Sequence, residues 1–395
     1  MQYVDNKINF DIILNYIHSS LISIAILVYF FLFLRFLITL SNFITKPYLP
    51  FSNQPYTDLV SILVPARNEA LNLPLLLESI RQQDYSHYEL IILDDESSDE
   101  TARVVLDFAA SEPRCRLIAS KPLRAGWLGK NWACYQLAAY ASGRYLLFID
   151  ADVQVFTGFI SSALHEIKRK KLSLLSVFND QSMITAGEKM IVPLMHYILL
   201  TLLPLHLVYR VKNYFVAAAS GQCMFFEKEA YQQHQFHKQA KSKVVEDIFI
   251  MQLVKRNALK GASCLGNGLI RCRMYRSYIE GIAGFSKNLM AGFGNSAWAT
   301  SLFVMAVTIG YFSFFSSAFL SVFTNSTYLY LFYSSVLFLI LGIRIMVSAL
   351  SNQNIFVNLL FHPVQMATIL LLLAVSVYKR VTHSNRWKGR LIFTK

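Results

Sequence analysis

The stretch Tyr145–Phe156, YLLFIDADVQVF, decides the fold. Its first five residues are apolar or aromatic without interruption, which suits a strand buried on both faces. Two aspartates follow at alternate positions, Asp150 and Asp152, where that strand must surface. A carboxylate pair in such a setting is costly unless something cationic sits beside it. Oxygen ligands of this kind suit Mg2+ or Mn2+, which keeps part of its water shell and shares a substrate's phosphates. A solvated turn or a helix cap would account for an isolated DxD equally well.

Working outward, LVSILVP (59–65) and YELIILDD (88–95) are runs of the same kind, while LNLPLLLESIRQQ (71–83) and DETARVVLDFAAS (99–111) carry helical spacing. Strands alternating with helices at this interval predict an α/β fold with a mostly parallel, Rossmann-like sheet and right-handed crossovers. Ligands of such sheets bind beyond the carboxyl ends of the strands. Each run here ends in polar residues: Arg67-Asn68-Glu69, Asp94-Asp95 and Asp150-Ala151-Asp152. Three strand ends are therefore expected to converge on one crevice.

The rest of the chain is apolar. Of 395 residues, 54% are hydrophobic and only 15% charged, a balance that predicts a membrane protein carrying a water-facing part. The net charge of +13 is then expected to lie against anionic lipid, and no nucleic-acid signature is present. Five scattered cysteines without CxxC spacing argue against a disulfide framework or a zinc site, and point to a reduced compartment.

The apolar run 17–40 is long enough to cross a bilayer and lacks the marks of a removable signal, so residues 1–45 are read as an anchor. TKPYLPFSNQPYTD (45–58) reads as a linker. IVPLMHYILLTLLPLHLVY (191–209) is interrupted by Pro193, His196, Pro204 and His206, which suits a buried or interfacial helix near 191–210 better than a span. Residues 298–378 allow up to three further spans, followed by a basic tail, 379–395, without a single acid. Such a tail belongs on the cytosolic side. One anchor plus three full spans would put the tail opposite the catalytic part, so one C-terminal segment is expected to be re-entrant or interfacial.

Other motifs add chemistry. In LDDESSDET (93–101), Ser97, Ser98 and Asp99 are cap candidates, whereas Asp94 and Asp95 precede the cap and can accept hydrogen bonds from a nucleobase or ribose. GWLGKNWACYQLA (126–138) sets Lys130 at a helix start, in reach of a diphosphate or simply exposed. KVVEDIFIMQL (243–253) places Glu246 and Asp247 at another helix start, as dipole-compensating acids or as a general base.

Together these elements resemble inverting family 2 glycosyltransferases of GT-A fold, over roughly Val60 to Asn288. The resemblance rests on VPARNEALNL, DDESSDET, GWLGKNWA, DAD and the ED of VVEDIF in the family's order. The branch it looks like is membrane-anchored, similar to carotenoid-type and hopanoid-associated enzymes, in which Ser220-Gly221-Gln222, MYRS (274–277), GFSKN (284–288) and WKGR (387–390) have counterparts. The processive synthases' QxxRW element is missing, with CRMYRS (272–277) in its place, which disfavours a polymerising enzyme.

The resemblance implies that Pro65, Arg67 and Glu69 border the nucleotide, that Asp94 and Asp95 face base and ribose, and that Lys130 meets the diphosphate. Asp150 and Asp152 would hold Mg2+ or Mn2+. Asp247, beside Glu246, would be the base, with Gln222 and Arg276 on the acceptor side. The expected organisation is an anchor (1–45), a GT-A domain (46–297), transmembrane helices (298–378) and a tail (379–395). The expected reaction is inverting transfer of one hexose from a nucleotide-sugar of UDP-glucose type to a lipid or isoprenoid at the inner membrane, with the catalytic domain facing the cytoplasm. Arg271, Arg273 and Arg276 would lie near headgroups, or only snorkel. A polyprenyl-phosphate sugar synthase of the same fold is the alternative, and a non-enzymatic membrane protein a weaker one.

Overall fold

The computed structural model describes residues 23, 26–294, 296–321, 327–382, 384, 386–387 and 390–391. The start of the expected anchor, residues 1–22, and Lys388 and Lys395 of the basic tail lie outside the described residues.

A seven-stranded sheet forms the centre. Its strands are β1 (Val60–Ala66), β2 (Tyr88–Asp94), β3 (Cys115–Ala119), β4 (Tyr145–Ile149), β6 (Leu174–Phe178), β8 (Cys223–Glu227) and β9 (Gly261–Leu265), in the order β3-β2-β1-β4-β8-β6-β9. Only β8 runs against its neighbours. The fold is the expected one, a mostly parallel α/β sheet. Alternate residues of one strand feed different cores: Leu63 and Ile91 pack on one face, Ile62, Val64, Leu90 and Ile92 on the other. Burial on both faces is why these runs are continuously apolar rather than alternating.

Helices α2 (Leu73–Arg81), α3 (Thr101–Ala109) and α4 (Gly129–Tyr140) fill the crossovers. After β4 comes β5 (Val153–Val155), and between β6 and β8 lies β7 (Asp180–Gln181). These pair with β10 (Ile270–Cys272) as a small second sheet, β5-β10-β7, across the end of the large one. Helix α5 (Phe159–Lys170) packs behind, while α9 (Lys228–His234), α10 (Phe236–Gln239) and α11 (Glu246–Arg256) lead from β8 to β9.

Residues 186–210 form three short helices, α6 (Ala186–Ile191), α7 (Leu194–Leu202) and α8 (His206–Arg210), where the sequence suggested one. Pro193 caps the start of α7, and Pro204 falls in the break before α8. Proline removes a helical N–H and clashes with the preceding turn, so the run cannot stay continuous. The inner side of α7 is buried, including His196, Tyr197 and Leu200.

Helix α1 (Ile26–Thr45) joins this unit through Asn42, whose Nδ2 donates to the carbonyls of Leu200 and Leu203 at 2.9 Å each and whose Oδ1 accepts from Leu205 N at 2.8 Å. The linker is tied down: Leu49 is fully buried, and its N–H donates to Leu265 O at 2.8 Å at the edge of β9. After α12 (Tyr278–Gly292) come α13 (Ala297–Ser321), α14 (Thr327–Leu350) and α15 (Ile355–Val381). Three stretches among the described residues are long and apolar enough to cross a membrane: Ile26–Thr45, Tyr330–Leu350 and Ile355–Val381.

Candidate active site

The carboxyl ends of β1, β2 and β4 open to the same side, and the loops beyond them are knitted together. Arg67 donates through Nη1 to the carbonyl of Asp95, whose own N–H donates to Ala66 O at 2.8 Å. Asp95 is buried. Glu69 N donates to Thr101 Oγ1 at 2.8 Å, and Glu69 Oε2 accepts from Asn72 Nδ2 at 2.6 Å. Asp99 accepts from the N–H groups of Ala70 and Thr101, so it serves the start of α3 as expected. Asp94 also has a local partner, since its Oδ1 accepts from Ser97 N at 3.2 Å. That bond steadies the turn ahead of α3, whereas the sequence offered only Ser97, Ser98 and Asp99 for a local role, as caps. Pro65 sits in β1 opposite Leu93.

A second group lies where β4 ends. Lys130 Nζ donates to Asp150 Oδ2 at 2.7 Å and to the carbonyl of Gly221 at 3.0 Å, and stands 3.4 Å from Glu246 Oε1. The N–H of Gly221 donates to Asp247 Oδ2 at 2.8 Å, and Ile248 N donates to its Oδ1 at 2.8 Å. GKNWA, DAD, SGQ and ED, far apart in sequence, meet here.

The sequence explains how. Asn131, beside Lys130 in α4 and almost wholly buried, donates through Nδ2 to the carbonyls of Ala240 (2.8 Å) and Lys243 (3.1 Å), just ahead of α11. Leu128 N donates to Lys241 O at 2.8 Å. The start of α4 is thereby stitched to the approach to α11, which brings Lys130 against Glu246. A Cβ added at Gly221 would lie 2.9 Å from Glu246 Oε1 and 3.3 Å from Lys130 Nζ, so the cluster closes around the one residue type that leaves room.

Asp152 lies apart from this ion pair. Its Oδ1 is buried without a hydrogen-bond partner, and the Cys272 side chain is near enough to act on its ionisation. Cys272 reaches it because β10 pairs with β5 in a register that sets Cys272 against Val153. Gln222 stands between, donating from Nε2 to Cys272 Sγ at 3.0 Å and accepting from Asn179 Nδ2 at 3.3 Å. Arg276 is not in this group: its Nη2 donates to Asn72 Oδ1 at 2.7 Å, over the loop beyond β1. Nor is Arg273 free to meet headgroups, because Nη2 donates at 2.7 Å to Oε1 of the fully buried Glu188. Arg271 stacks over Phe156.

Burial raises the Asp152 carboxyl to about 7, helped by the charges of Asp150 and Glu69. Burial also raises Asp247 to about 7, with Glu246 adding to it and the two backbone donors opposing it. For Lys130 burial favours the neutral amine, but the charges of Asp150 and Glu246 prevail and hold it protonated. Lys287 of α12, lowered by burial, lies in the field of Glu246, Asp150 and Asp247.

An orphaned, buried carboxylate oxygen beside a second aspartate fits one or two ligands of a hard cation. No three His, Cys, Asp or Glu side chains converge on one point among the described residues, so such an ion would complete its shell with water and substrate. All five cysteines are unpaired and buried.

Sequence reading missed Asn131, the central position of Gly221, the Cys272–Asp152 contact and Lys287. GKNWA and GFSKN contained two of these, but only the fold shows what they touch.

This mostly parallel sheet, with its helices and carboxylate-rich strand ends, has the GT-A architecture of glycosyltransferases. Residues 61–235 match the family model described as Glycosyl transferase family 2, and this part of the chain is a family 2 glycosyltransferase domain of GT-A fold. The matched span holds Arg67, Lys130, Asp150, Asp152 and Gln222, while Glu246 and Asp247 lie beyond it.

The chain is 25% identical over 289 residues to a 4,4'-diaponeurosporenoate glycosyltransferase of Staphylococcus haemolyticus, covering 68% of this chain and 71% of the relative. With the enzyme of that name from Staphylococcus aureus (strain USA300) it shares 27% over 243 residues, 60% and 62% of the two chains. Over 94 residues it is 35% identical to the Escherichia coli UDP-Glc:alpha-D-GlcNAc-diphosphoundecaprenol beta-1,3-glucosyltransferase WfgD, covering 24% of this chain and 35% of that one. Among solved structures, a mannosyltransferase of Pyrobaculum calidifontis in complex with GDP-Man and Mn2+ superposes with a TM-score of 0.53 at 15% identity, covering 91% of this chain and 98% of the other. It shares the fold.

Proposed function

We propose that the chain transfers one sugar from a nucleotide-sugar, of UDP-glucose type, to a lipid or isoprenoid acceptor with inversion, at the inner membrane and with a divalent cation. The observation that carries this reading is the joint held by Lys130, which ties Asp150 at the end of β4 to Glu246 beside Asp247. A diphosphate leaving group arriving there would meet several carboxylates and few cations. Mg2+ or Mn2+ on Asp152 and Asp150 would balance that charge as the glycosidic bond breaks. Lys130, released from Asp150, is placed to follow the diphosphate.

Asp247 is held by two N–H donors and raised toward neutrality, which suits a base for an acceptor hydroxyl attacking behind the anomeric carbon. Glu246 shares Lys130 and keeps that base negative-neighboured. Pro65, Arg67, Glu69, Asp94 and Asp95 would line the nucleotide end, with Arg276 held beside them by Asn72 and not on the expected acceptor side, while Gln222 would face the acceptor. The relatives' names favour a lipid-like acceptor, and the structural neighbour's GDP-Man and Mn2+ are in keeping with a cation-assisted donor.

The membrane arrangement belongs to the same reading. Helix α15 is bonded to the transferase unit at several points: Asn352, just before it, donates to Asp180 Oδ2 at 3.0 Å, Gln365 to Lys189 O at 2.9 Å, Ser376 Oγ to Ser286 O at 2.7 Å, and Lys379 Nζ to Ser286 Oγ at 2.8 Å. Its polar residues Asn358, Gln365, Thr368 and Ser376 face inward, while Phe356, Leu360, Leu371, Tyr378 and Val381 are exposed. Such a helix lies along the bilayer face with its apolar side in lipid. Although α15 is long and apolar enough to cross, placing it in plane, with α1, α13 and α14 crossing, would leave the catalytic unit and the basic tail on the cytosolic side.

The test is direct. Purified chain in lipid nanodiscs, given labelled UDP-glucose, Mn2+ and a membrane lipid extract, should label a lipid. If nothing is labelled while GDP-mannose serves, the donor assignment fails; if no nucleotide-sugar serves, the transferase reading itself fails.

A further inference from the structure

A second charged cluster lies among the apolar helices, away from the carboxylates. Arg344 of α14 is fully buried, and none of its three guanidinium nitrogens has a hydrogen-bond partner. It stacks on Tyr197 of α7, with Cζ 5.4 Å from the ring centroid. Arg35 of α1, 3% exposed, stacks on the same ring at 5.0 Å and donates through Nε and Nη2 to Thr201 Oγ1. The ring of His362 in α15 lies 5.5 Å from that of Tyr197 and 5.0 Å from that of Tyr311 in α13.

Two guanidinium groups thus share one tyrosine. The sequences of α1, α7, α13, α14 and α15 contain no Asp or Glu at all. A guanidinium stays charged, and burying it without a counter-charge is among the costliest things a fold can do. Stacking on an aromatic face offsets only part of that cost. Ionisable side chains inside apolar helices are kept where they meet a ligand.

The surroundings indicate what the ligand is. A narrow cavity of about 20 Å³ between these helices is lined by Arg35, Tyr197 and apolar side chains such as Val28, Phe31, Val307 and Ile340, and Arg344 adjoins it only through Tyr197, so a lipid there would have to part the helices. Both guanidinium groups face α7, Arg35 through Thr201 and Tyr197 and Arg344 through Tyr197.

We infer that Arg344 and Arg35 form a binding site for the anionic head, a carboxylate or a phosphate, of an amphipathic lipid whose chain lies between the helices. The inference rests on the membrane arrangement proposed above and not on the transfer reaction. The head can come from a carboxylated acceptor or from a bilayer phospholipid.

The experiment uses delipidated full chain in neutral detergent, titrated with oleate, phosphatidylglycerol or uncharged monoolein while the melting temperature is followed. Oleate or phosphatidylglycerol should raise it and monoolein should not. A rise with oleate alone identifies an acceptor-type carboxylate, and a rise with phosphatidylglycerol alone identifies the bilayer's phosphate. Arg344→Met should weaken the apparent affinity at least about tenfold. Equal titrations for wild type and Arg344→Met, or an equal response to monoolein, would overturn the site. Should Arg344→Met fail to accumulate, Arg344→Lys replaces it: a loss of about tenfold is expected because an ammonium lacks the planar fork, and unchanged affinity sinks the proposal. Failure of the membrane arrangement shows separately, as release of the chain from membranes by an alkaline wash.

Discussion

Gly221 holds Asp247 on one side and Lys130 on the other: its N–H donates to Asp247 Oδ2 at 2.8 Å, and its carbonyl accepts from Lys130 Nζ at 3.0 Å. The separation of Asp247 and Lys130 is thereby set by one residue's backbone.

Gly221→Ala should cut transfer by roughly tenfold to a hundredfold, because displacing reacting groups by a fraction of an ångström is costly in rate. The new methyl would press on Glu246 Oε1 at 2.9 Å. Turnover and thermal melting, measured side by side, check this: the melt should stay within a few degrees of wild type, and a collapse of the melt would make the residue a folding determinant instead.

Lys130→Ala should slow transfer by about a hundredfold, the usual scale for losing one preorganised charge at a leaving group. Lys130→Arg, too bulky for the pocket around Gly221, should recover little of it. Steady-state kinetics with saturating acceptor separate a raised donor KM from a lowered kcat. Wild-type kinetics in the alanine variant would return Lys130 to a structural role.

Asp152→Asn should abolish the Mn2+ dependence of donor binding and leave the protein folded, since the lost oxygen is one with no hydrogen-bond partner in the protein. Calorimetric titration of UDP-glucose with and without Mn2+ reads it. Metal-dependent binding that survives in the variant would remove Asp152 from the cation site.

The pH profile follows from Asp247, raised from 3.8 to about 7 by burial. A base works when ionised, so transfer to a hydroxyl acceptor should rise with pH through about 7, and Asp247→Asn should be slow at every pH. Stability runs the other way. Between about 4 and 7 the folded protein keeps a proton that the unfolded chain has released, so this group's contribution declines as pH rises through that window. A carboxylate or phosphate acceptor needs no base, and substantial activity in Asp247→Asn would select that class.

Much of this was legible in the sequence because parallel strands buried on both faces announce themselves as unbroken apolar runs, and the acids at their ends mark the crevice. What stayed hidden was long-range. Nothing in the spacing of GKNWA and VVEDIF says that Asn131 will grip the carbonyls of Ala240 and Lys243 and so bring Lys130 to Glu246. The reversed strand β8 and the breakup of residues 186–210 into three helices were likewise settled by packing and by two prolines. The local bond of Asp94 to Ser97 and the pairing of Arg273 with Glu188 were equally invisible in the spacing.

Ser286 and Lys287 are adjacent on α12, yet they answer to different surroundings. Ser286 is gripped by Ser376 and Lys379 of the outermost helix, while Lys287 sits in the field of Glu246, Asp150 and Asp247. A shift of that outer helix in an ill-matched detergent therefore has one residue to travel before it perturbs the chemistry. Turnover should fade during extraction well before any spectroscopic sign of unfolding, and restoring the right lipid thickness should bring it back.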